Sequence, residues 1–376
     1  MAQLPCNLLM AQMSMDIGGA ETHIMELSLA LKNRGYRVVI ASNGGAYVPE
    51  LEKAGIIHYQ VPMHNKKLSN MVVSYRRLKE IITKEQIDLV HAHARIPGFL
   101  AGKLCRREHI PFVTTAHWVF ETGHGLKYLT DWGQETLAVS EDIKAYLIKE
   151  YHLPQEQIIV TINGINTDRF SSDVSYGGIS AEFGFAKNAF RIVHISRLDK
   201  SRADVAFLLL QAFPEIKRQI PNSELVIVGG GDVYREVVKL AQEMNKKLGD
   251  NCVKITGPRT DINRFVASAD LFVGVSRAAL EAMAAGKAAV LAGNEGDLGL
   301  YTPHKKELAF ASNFTCRGAG MPSEESIRDS ILEYANMEAA DQRKIRRFCK
   351  ETVEQHYSVQ RMADDAEKAY RAVLKG

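Results

Sequence analysis

Cysteine motifs, long apolar runs and a strong excess of one charge are all missing from this chain of 376 residues. The five cysteines are scattered and never form a CxxC pair, so neither a disulfide framework nor a thiolate metal site is expected. No apolar run approaches the roughly 20 residues that span a bilayer, and no basic segment precedes the short apolar stretch near residue 8. We therefore expect a cytoplasmic protein without a membrane-spanning helix or an export signal.

The overall charge balance excludes a further class of proteins. The formal net charge is +3, which is too small to predict nucleic-acid binding, and we expect no nucleic-acid partner. The hydrophobic share of 46% and the charged share of 24% are typical of a soluble globular protein. Because the length exceeds that of a single hydrophobic core, two domains are expected.

Short β-rich runs alternate with longer amphipathic segments along most of the chain. The first series includes RVVIAS, DLVHAH, FVTTAH and TLAVS, and the second includes FRIVHIS, ELVIVGG, VKITG, DLFVGV and AAVLAG. Alternation of this kind favours βαβ units with parallel strands. The sequence therefore predicts an α/β protein with two tandem, doubly wound, Rossmann-like domains.

The domain boundaries are predicted from a break between the two series. Residues 171–188 are rich in Ser and Gly and show no steady period, so we interpret them as an interdomain linker. The first domain is then residues 1–170 and the second is residues 189–356. We expect the last helical pattern, about residues 357–376, to pack back on the first domain.

Two adjacent glycines, Gly18 and Gly19, lie at a predicted corner between a strand and a helix. Glycine lets a ligand approach the backbone, and the N–H groups of a first helical turn favour an anion such as phosphate. The alternative is that these glycines only make the turn. No GxGxxG or GxxxxGK[ST] pattern is present, so a dinucleotide or P-loop site is less favoured.

The second series carries a cluster of cations at a comparable corner. Arg197, Lys200 and Arg202 follow the strand FRIVHIS, and guanidinium groups suit a diphosphate. A solvated basic turn is the alternative. The segments IVGGGD, which ends its glycine run at Gly231, and TGPRTD follow two further strands, and ligands bind at this carboxyl edge in open α/β sheets.

Taken together, these stretches resemble the retaining glycosyltransferases of family 4, which have the two-domain GT-B fold with a deep interdomain cleft. The resemblance rests on GGAE, HAH, TTAH, AVSEDIKAYL, INGINTDRF, SRLDKSRAD, IVGGGD, LEAMAAG and the C-terminal helix, in the family's order. It implies sugar transfer from a nucleotide-diphosphate sugar with retention and without a bound metal or other cofactor. It also implies that the nucleotide binds the second domain and the acceptor mostly the first.

The resemblance assigns roles to individual residues. Gly18 and Gly19 match the glycine loop that faces the donor phosphates, and His117 matches the histidine that contacts the donor sugar. Arg197 matches the arginine of the family's RL motif, whereas Arg202 replaces its lysine.

Further along the chain, Arg259 and Thr260 fall in the loop that meets the base through its backbone. Glu281 matches the glutamate that binds ribose.

One departure from the family pattern concerns the donor sugar. The family commonly has a first glutamate eight positions before the second, but Val273 stands there in this chain. Either the backbone amides of Arg277 and Ala278 meet the sugar hydroxyls, or the donor differs from that of most relatives. Glu295 could supply a related contact.

The expected activity is transfer of a hexose or N-acetylhexosamine, with UDP as the favoured donor base by family frequency. The acceptor would be a glycan, lipid-linked or small-molecule hydroxyl, in the synthesis of a cell-surface glycan. The alternatives are an epimerase-like GT-B enzyme and a catalytically silent nucleotide-sugar binding protein, because the same fold hosts all three.

The acceptor side is predicted from histidines and from a basic stretch. His93 ends a strand and His124 lies in a glycine-flanked loop, so both could line the acceptor site, whereas a metal site at His91 and His93 is disfavoured because no further ligand lies at suitable spacing. Between Lys66 and Arg107 there are ten basic and three acidic residues. This stretch is either a solvated face or a peripheral contact with the anionic inner face of a membrane.

Overall fold

The computed structural model describes residues 5–123 and 125–374, which form two compact units. The first unit contains the described residues up to Gly164 together with those from Val359 onward, and the second contains Ile165–Ser358. No described helix combines the length and apolar character needed to cross a bilayer.

The first unit is built on a parallel sheet of seven strands in the order β3-β2-β1-β4-β5-β6-β7. Alternate strand residues face opposite sides, so Leu9 and Val90 enter a core beneath two helices, whereas Met10 and His91 point to the other face. The strands are β1 (Asn7–Ala11), β2 (Arg37–Ser42), β3 (Ile57–Gln60), β4 (Leu89–Ala92), β5 (Phe112–Ala116), β6 (Glu135–Ala138) and β7 (Ile158–Val160).

Helices connect these strands on both faces of the sheet. Helices α3 and α4 contact each other beside the core that contains Leu78, Leu100 and Leu104. The helices are α1 (Gly19–Asn33), α2 (Val48–Lys53), α3 (Leu68–Lys84), α4 (Arg95–Glu108) and α5 (Glu141–Tyr146), and a 3-10 turn covers Leu126–Leu129.

The second unit repeats this plan with a sheet in the order β10-β9-β8-β11-β12-β13. Five strands are parallel, and the edge strand β13 runs antiparallel to β12 because a tight turn between Gly293 and Gly296 is too short for a crossover. The strands are β8 (Phe190–Ile195), β9 (Ser223–Val228), β10 (Val253–Ile255), β11 (Leu271–Val273), β12 (Ala288–Gly293) and β13 (Gly296–Leu300).

Helices again cover both faces of this sheet. One face carries the core of Leu209, Phe213, Val237 and Ile331 from three helices, and helices of the other face contact each other and β12. The helices are α6 (Gly177–Phe183), α7 (Asp204–Gln219), α8 (Tyr234–Leu248), α9 (Ile262–Ser268), α10 (Ser276–Ala284), α11 (Lys306–Ala311), α12 (Glu324–Ala335) and α13 (Ala339–His356).

The connection between the units differs from the linker predicted over residues 171–188. The chain passes into the second unit at Ile165, whose N–H donates to the carbonyl of Tyr357 at 2.7 Å, so residues 165–170 do not belong to the first unit. Much of the predicted linker is helix α6, and the ring of Phe183 packs edge-on against Phe265 with centroids 5.7 Å apart. The Ser- and Gly-rich composition therefore concealed a short, packed helix.

The last helix, α14 (Val359–Leu374), belongs to the first unit. Its buried Tyr370 makes a hydrogen bond with His91 Nδ1 at 2.8 Å, and Arg34, the residue that follows α1, donates to Asp364 at 2.7 Å. The sheet face that β1 and β4 turn toward α1 is thus completed by α14.

Candidate active site

Both sheets have a topological switch point, where consecutive connections leave in opposite directions along the sheet. In the first unit this point lies between β1 and β4, and in the second unit it lies between β8 and β11. Ligands of open α/β folds bind outside the carboxyl ends of the strands at such points. Gly18, Gly19 and His93 follow β1 and β4, and Arg197 and Arg277 follow β8 and β11, so these predicted site residues belong to switch-point connections.

Gly18 and Gly19 form the N-terminus of α1. Gly18 is extended, with φ of −177°, and its carbonyl accepts both the N–H and the Oγ1–H of Thr22 at 2.9 Å. A Cβ placed on Gly19 would meet nothing within 4 Å. Neither residue has the positive φ that favours glycine, so the turn alone does not account for these two glycines.

Three histidine rings from different elements gather near the carboxyl edge of the first sheet. His93 Nδ1 and His117 Nε2 are 3.1 Å apart, so one nitrogen donates a hydrogen bond to the other. The ring of His23, from α1, lies edge-on to His117 with centroids 4.7 Å apart, and His23 Nδ1 is 3.3 Å from Asn163 Oδ1. His117 is therefore held between two buried histidines.

Burial keeps the inner histidines uncharged. Desolvation, reinforced by neighbouring rings of which His91 is the strongest, lowers the pKa of His93 well below its usual value. Desolvation, with a contribution from His117, lowers the pKa of His91 to about 3. His91 uses both ring nitrogens, toward Tyr370 and Thr115, whereas the buried Nε2 of His93 has no partner among the described residues.

The histidine group was only partly predictable. His93 and His117 end neighbouring strands, which the alternating pattern indicated, but His23 lies within a helix where nothing in the sequence sets it apart. Among the described residues, no three His, Cys, Asp or Glu side chains are grouped as a metal ion requires. The predicted acceptor-side residue His124 lies outside the described residues.

A groove on the first unit was not foreseen. It lies between α3, α4 and the 3-10 turn at Leu126–Leu129, and it encloses about 580 Å³. Its lining has nine apolar or aromatic side chains and four cations, namely Leu68, Met71, Val72, Tyr75, Ile96, Phe99, Leu100, Leu126 and Leu129 with Lys66, Arg76, Arg95 and Lys103.

In the second unit, the loop after β8 carries the predicted diphosphate-binding cations. Arg197, Lys200 and Arg202 are exposed, and Arg202 Nη1 is 3.7 Å from Asp199 Oδ2. The loop is shaped by Asp199, whose Oδ1 accepts the backbone N–H of Ser201 at 3.1 Å and its hydroxyl at 2.7 Å. Positive charge thus projects from a loop with a defined backbone.

The glycine run after β9 fastens this loop to its neighbours. The N–H of Leu198 donates to the carbonyl of Gly230 at 3.0 Å, and the N–H of Gly229 donates to that of Gly257, also at 3.0 Å. A Cβ on Gly229 would overlap the carbonyl oxygen of Ser196, and one on Gly231 would overlap that of Leu198. The glycines therefore let the loops after β8, β9 and β10 pack against one another.

The side chain of Arg259 is committed to the protein. Its guanidinium donates to both carboxylate oxygens of Asp261 at 2.8 and 2.9 Å and to Glu182 at 2.8 Å. The hydrogen bond with Asp261 and the pairing with Glu182 raise the pKa of Arg259, while Arg259 lowers that of Asp261. The carbonyl of Thr260 accepts from Arg169 at 3.4 Å. The guanidinium of Arg259 is therefore occupied within the protein, and a base contact through the backbone of this loop stays a prediction.

The N-terminus of α10 lies directly after β11. Arg277 and Ala278 occupy its first turn, where backbone N–H groups have no acceptor within the helix. Glu281 is 2% exposed, and its Oε1 accepts from Arg277 Nε at 2.8 Å. The sequence did not indicate this buried pair.

Backbone strain is concentrated around the same helix. Ser276 has φ of 57° and donates its N–H to the carbonyl of Phe314 at 2.6 Å, and Phe314 itself has φ of 60°. Such conformations are costly for residues with side chains and are found most often at functional sites. Glu295, considered above as a donor contact, pairs with Arg317 at 3.2 Å.

His194 is a further residue that the sequence did not single out. It lies on β8 beside the switch point, 2% exposed, and Nδ1 donates to the carbonyl of Val273 at 2.8 Å. Its Nε2 is buried without a partner among the described residues, and desolvation lowers its pKa to about 4. The backbone carbonyl of Val273, on β11, is therefore linked to β8 through the side chain of His194.

Solved structures with this pair of sheets include glycosyltransferases of the GT-B fold. A glycosyltransferase from Rickettsia africae ESF-5 superposes with a TM-score of 0.76 at 20% identity, covering 99% of this chain and all of that one. Anabaena HepE in complex with UDP and glucose gives a TM-score of 0.74 at 18% identity, covering 98% of this chain and 100% of that one. The fold is therefore GT-B, as the sequence predicted.

Sequence comparison then defines the family. Residues 17–169 match the family described as Glycosyltransferase Family 4, and residues 189–315 match Glycosyl transferases group 1. The chain belongs to the family 4 glycosyltransferases, which use nucleotide sugars. It is 25% identical over 252 residues to the Escherichia coli UDP-Gal:alpha-D-GlcNAc-diphosphoundecaprenol alpha-1,3-galactosyltransferase, a match spanning 62% of this chain and 63% of that protein.

Proposed function

We propose that the protein transfers a hexose or N-acetylhexosamine from a UDP-sugar, with retention, to a hydroxyl of a glycan, lipid-linked or small-molecule acceptor. The observation that carries this proposal is the exposed cationic loop after β8, which shares a switch point with the N-terminus of α10. UDP is favoured because the Escherichia coli relative is named for UDP-Gal and HepE is solved with UDP. The reaction would serve cell-surface glycan synthesis on the cytoplasmic side of the membrane.

The proposed mechanism offsets the charge that forms as the leaving group departs. Negative charge develops on the diphosphate, and Arg197, Arg202 and the first-turn amides of α10 stabilise it. These groups supply the counter-charge that a metal ion supplies elsewhere, so we propose that the reaction needs no added metal. The departing phosphate helps to deprotonate the acceptor on the same face of the sugar, which retains the anomeric configuration.

His117 has a positioning and electrostatic role in this proposal. Its ring orientation is set by the contact with His93 and by the edge-on ring of His23. A ring held this way presents a fixed group to the donor sugar and need not form a covalent bond. Full transfer activity in His117→Ala would show that this role is wrong.

The first experiment is calorimetric titration with UDP, GDP, ADP and NAD. We expect one nucleoside diphosphate to bind tightly and Arg197→Ala to weaken its binding about tenfold or more, because a hydrogen bond between charged groups is lost. The control is Arg218→Ala, because Arg218 is exposed in the last turn of α7 and pairs with Glu215. Preferential binding of NAD, or an equal loss of nucleotide affinity in both variants, would overturn the assignment of the loop after β8 as the diphosphate site.

Turnover assays then separate the proposed transferase from its alternatives. A transferase releases UDP faster when an acceptor hydroxyl is present, an epimerase converts the donor alone, and a silent binding protein does neither. Activity that survives EDTA at unchanged rate would agree with metal-independent transfer, and activity restored only by a divalent cation would contradict it.

A further inference from the structure

The groove between α3, α4 and the 3-10 turn at Leu126–Leu129 has no role in the proposed reaction. We propose that it binds the hydrocarbon chain of a lipid-linked acceptor that carries an anionic phosphate or diphosphate group. This inference rests on the proposed function, and it narrows the acceptor to an amphiphile with a negative headgroup.

The apolar lining points to a hydrocarbon occupant. Leu68, Val72 and Leu129 are all exposed at the groove, although large apolar side chains normally avoid solvent when they adjoin one another. The volume of about 580 Å³ is in the range, roughly 300–1,000 Å³, of sites that enclose a small molecule. A single hydrocarbon chain fits a groove of this volume, whereas contact with a flat bilayer surface does not require a groove.

The charges around the groove point to an anion. Several cations of the basic stretch have carboxylate partners, as Lys79 has in Glu108 and Arg106 has in Asp131. The four cations that line the groove (Lys66, Arg76, Arg95 and Lys103) have none within the part of the chain that the structure describes. Unpaired cations beside an apolar surface complement a phosphate attached to a chain.

Two of these cations are held in place at the wall of the groove. Lys103 Nζ lies 4.3 Å from the centroid of the Phe99 ring, and Arg95 Nη2 donates to the carbonyl of Glu121 at 2.6 Å. Arg95 Nε is buried and has no hydrogen-bond partner among the described residues. A guanidinium and an ammonium fixed in this way keep positive charge at the wall of the groove, which suits a phosphate.

The position of the groove connects it with the acceptor side of the proposed reaction. Arg95 is the first residue of α4, and this helix begins immediately after β4 and His93. One end of the groove therefore adjoins the carboxyl edge of the first sheet. A headgroup held there would place its sugar toward that edge, while its chain follows α3 and α4.

The test uses farnesyl diphosphate below its micellar concentration, with inorganic diphosphate for comparison and saturating UDP to occupy the nucleotide site. We expect the prenyl compound to bind at least about tenfold tighter than diphosphate, because burying several methylene groups adds that much affinity. Equal affinity for the two compounds would overturn the proposal.

Two pairs of neighbouring residues provide matched variants. Val72 lines the groove at 44% exposure, whereas Val73 is 39% exposed and does not line it. Arg76 lines the groove, whereas Arg77 donates to the carbonyl of Gln60. Val72→Gln and Arg76→Gln should each weaken farnesyl diphosphate about fivefold or more, and Val73→Gln and Arg77→Gln should not.

UDP binding to the same samples separates the two proposals. If UDP binds and farnesyl diphosphate does not, only the groove assignment fails; if neither binds, the proposed function fails as well. Sedimentation velocity is measured alongside, because a shift from dimer to monomer in Val72→Gln without prenyl binding would assign the groove to a second copy of the chain and overturn the proposal.

Discussion

At the scale of single residues, several positions differ from what their type alone would indicate. Gly18 and Gly19 adopt conformations open to any residue, whereas Ser276 and Phe314 adopt conformations that favour glycine. Both departures occur at connections that follow the strands of a switch point or pack against them. The conformational preference of a residue type fails to explain the residue at positions that function, and not folding, selects.

Gly19→Ala tests whether the first glycine pair meets a ligand. The added methyl group has no neighbour within 4 Å, so stability should change by no more than about 0.5 kcal/mol. If phosphate approaches this backbone, affinity for the UDP-sugar should fall about tenfold. The matched control is Gly177→Ala, at the equally open first residue of α6. Unchanged donor affinity in Gly19→Ala would leave these glycines without a binding role.

His194 predicts how stability depends on pH. The unfolded side chain takes up a proton below about pH 6.5, whereas burial lowers the folded pKa to about 4. Its contribution is therefore complete above pH 6.5 and is lost as pH falls toward 4, at roughly 1.4 kcal/mol per pH unit. His91 and His93 act in the same direction in the first unit.

The measurement compares apparent melting temperatures at pH 7.5 and pH 5.5. The fall between these pH values should be smaller in His194→Gln than in the native protein. His64→Gln is the control, since it removes an exposed histidine and leaves every buried histidine in place. An unaltered pH dependence in His194→Gln would show that this histidine is not the group that titrates.

At the scale of elements, the second-unit site depends on contacts between loops. The loops after β8, β9 and β10 are joined by backbone hydrogen bonds that require close approach at Gly229 and Gly231. The glycine run after β9 carries no charge itself, but it fixes the position of the cationic loop after β8.

Gly231→Ala should displace the cationic loop without removing any charge. A methyl group there overlaps the backbone of Leu198 and Asp199, so we expect a loss of about 1–3 kcal/mol in stability and weaker UDP binding. Gly178→Ala is the control, because its added methyl group would have an ordinary contact at 3.6 Å. Melting and calorimetry on both variants check this, and native UDP affinity in Gly231→Ala would contradict it.

The strands and helices differ in how well the sequence could predict their role in the site. Strand ends were predictable, because the carboxyl ends of parallel strands meet at one edge whatever their side chains do. The Arg277–Glu281 pair and the groove between α3 and α4 were not, since both depend on how a helix turns its faces after packing. The basic stretch was visible in the sequence, but which of its cations lack carboxylates required the structure.

At the scale of the whole molecule, the chain leaves the first unit at Gly164 and returns to it at Val359. The returning helix supplies Tyr370 to His91, packs Met362 against Gly164, and pairs Asp364 with Arg34. The first unit is therefore discontinuous in sequence, whereas the second is a single segment.

Truncation of the chain after Ser358 should destabilise the first unit and leave the stability of the second unit unchanged. It lacks α14, so the face of the first sheet that carries His91 would be uncovered, and the thermal transition of that unit should be lost. The second unit keeps all of Ile165–Ser358 and should keep its own transition. Differential scanning calorimetry checks this, with Tyr370→Phe as a milder variant expected to cost about 1 kcal/mol. A truncated chain with both transitions intact would refute the structural role of α14.

The return of α14 also has a consequence for synthesis on the ribosome. Domains usually fold as they emerge, with the N-terminal one first. Here the strands of the first unit are translated first, but the helix that supplies Tyr370 to His91 is translated only after the second unit. The first unit therefore waits, with the part of its sheet that α14 covers exposed, until the second unit has been made, and a chaperone could protect this surface in the meantime.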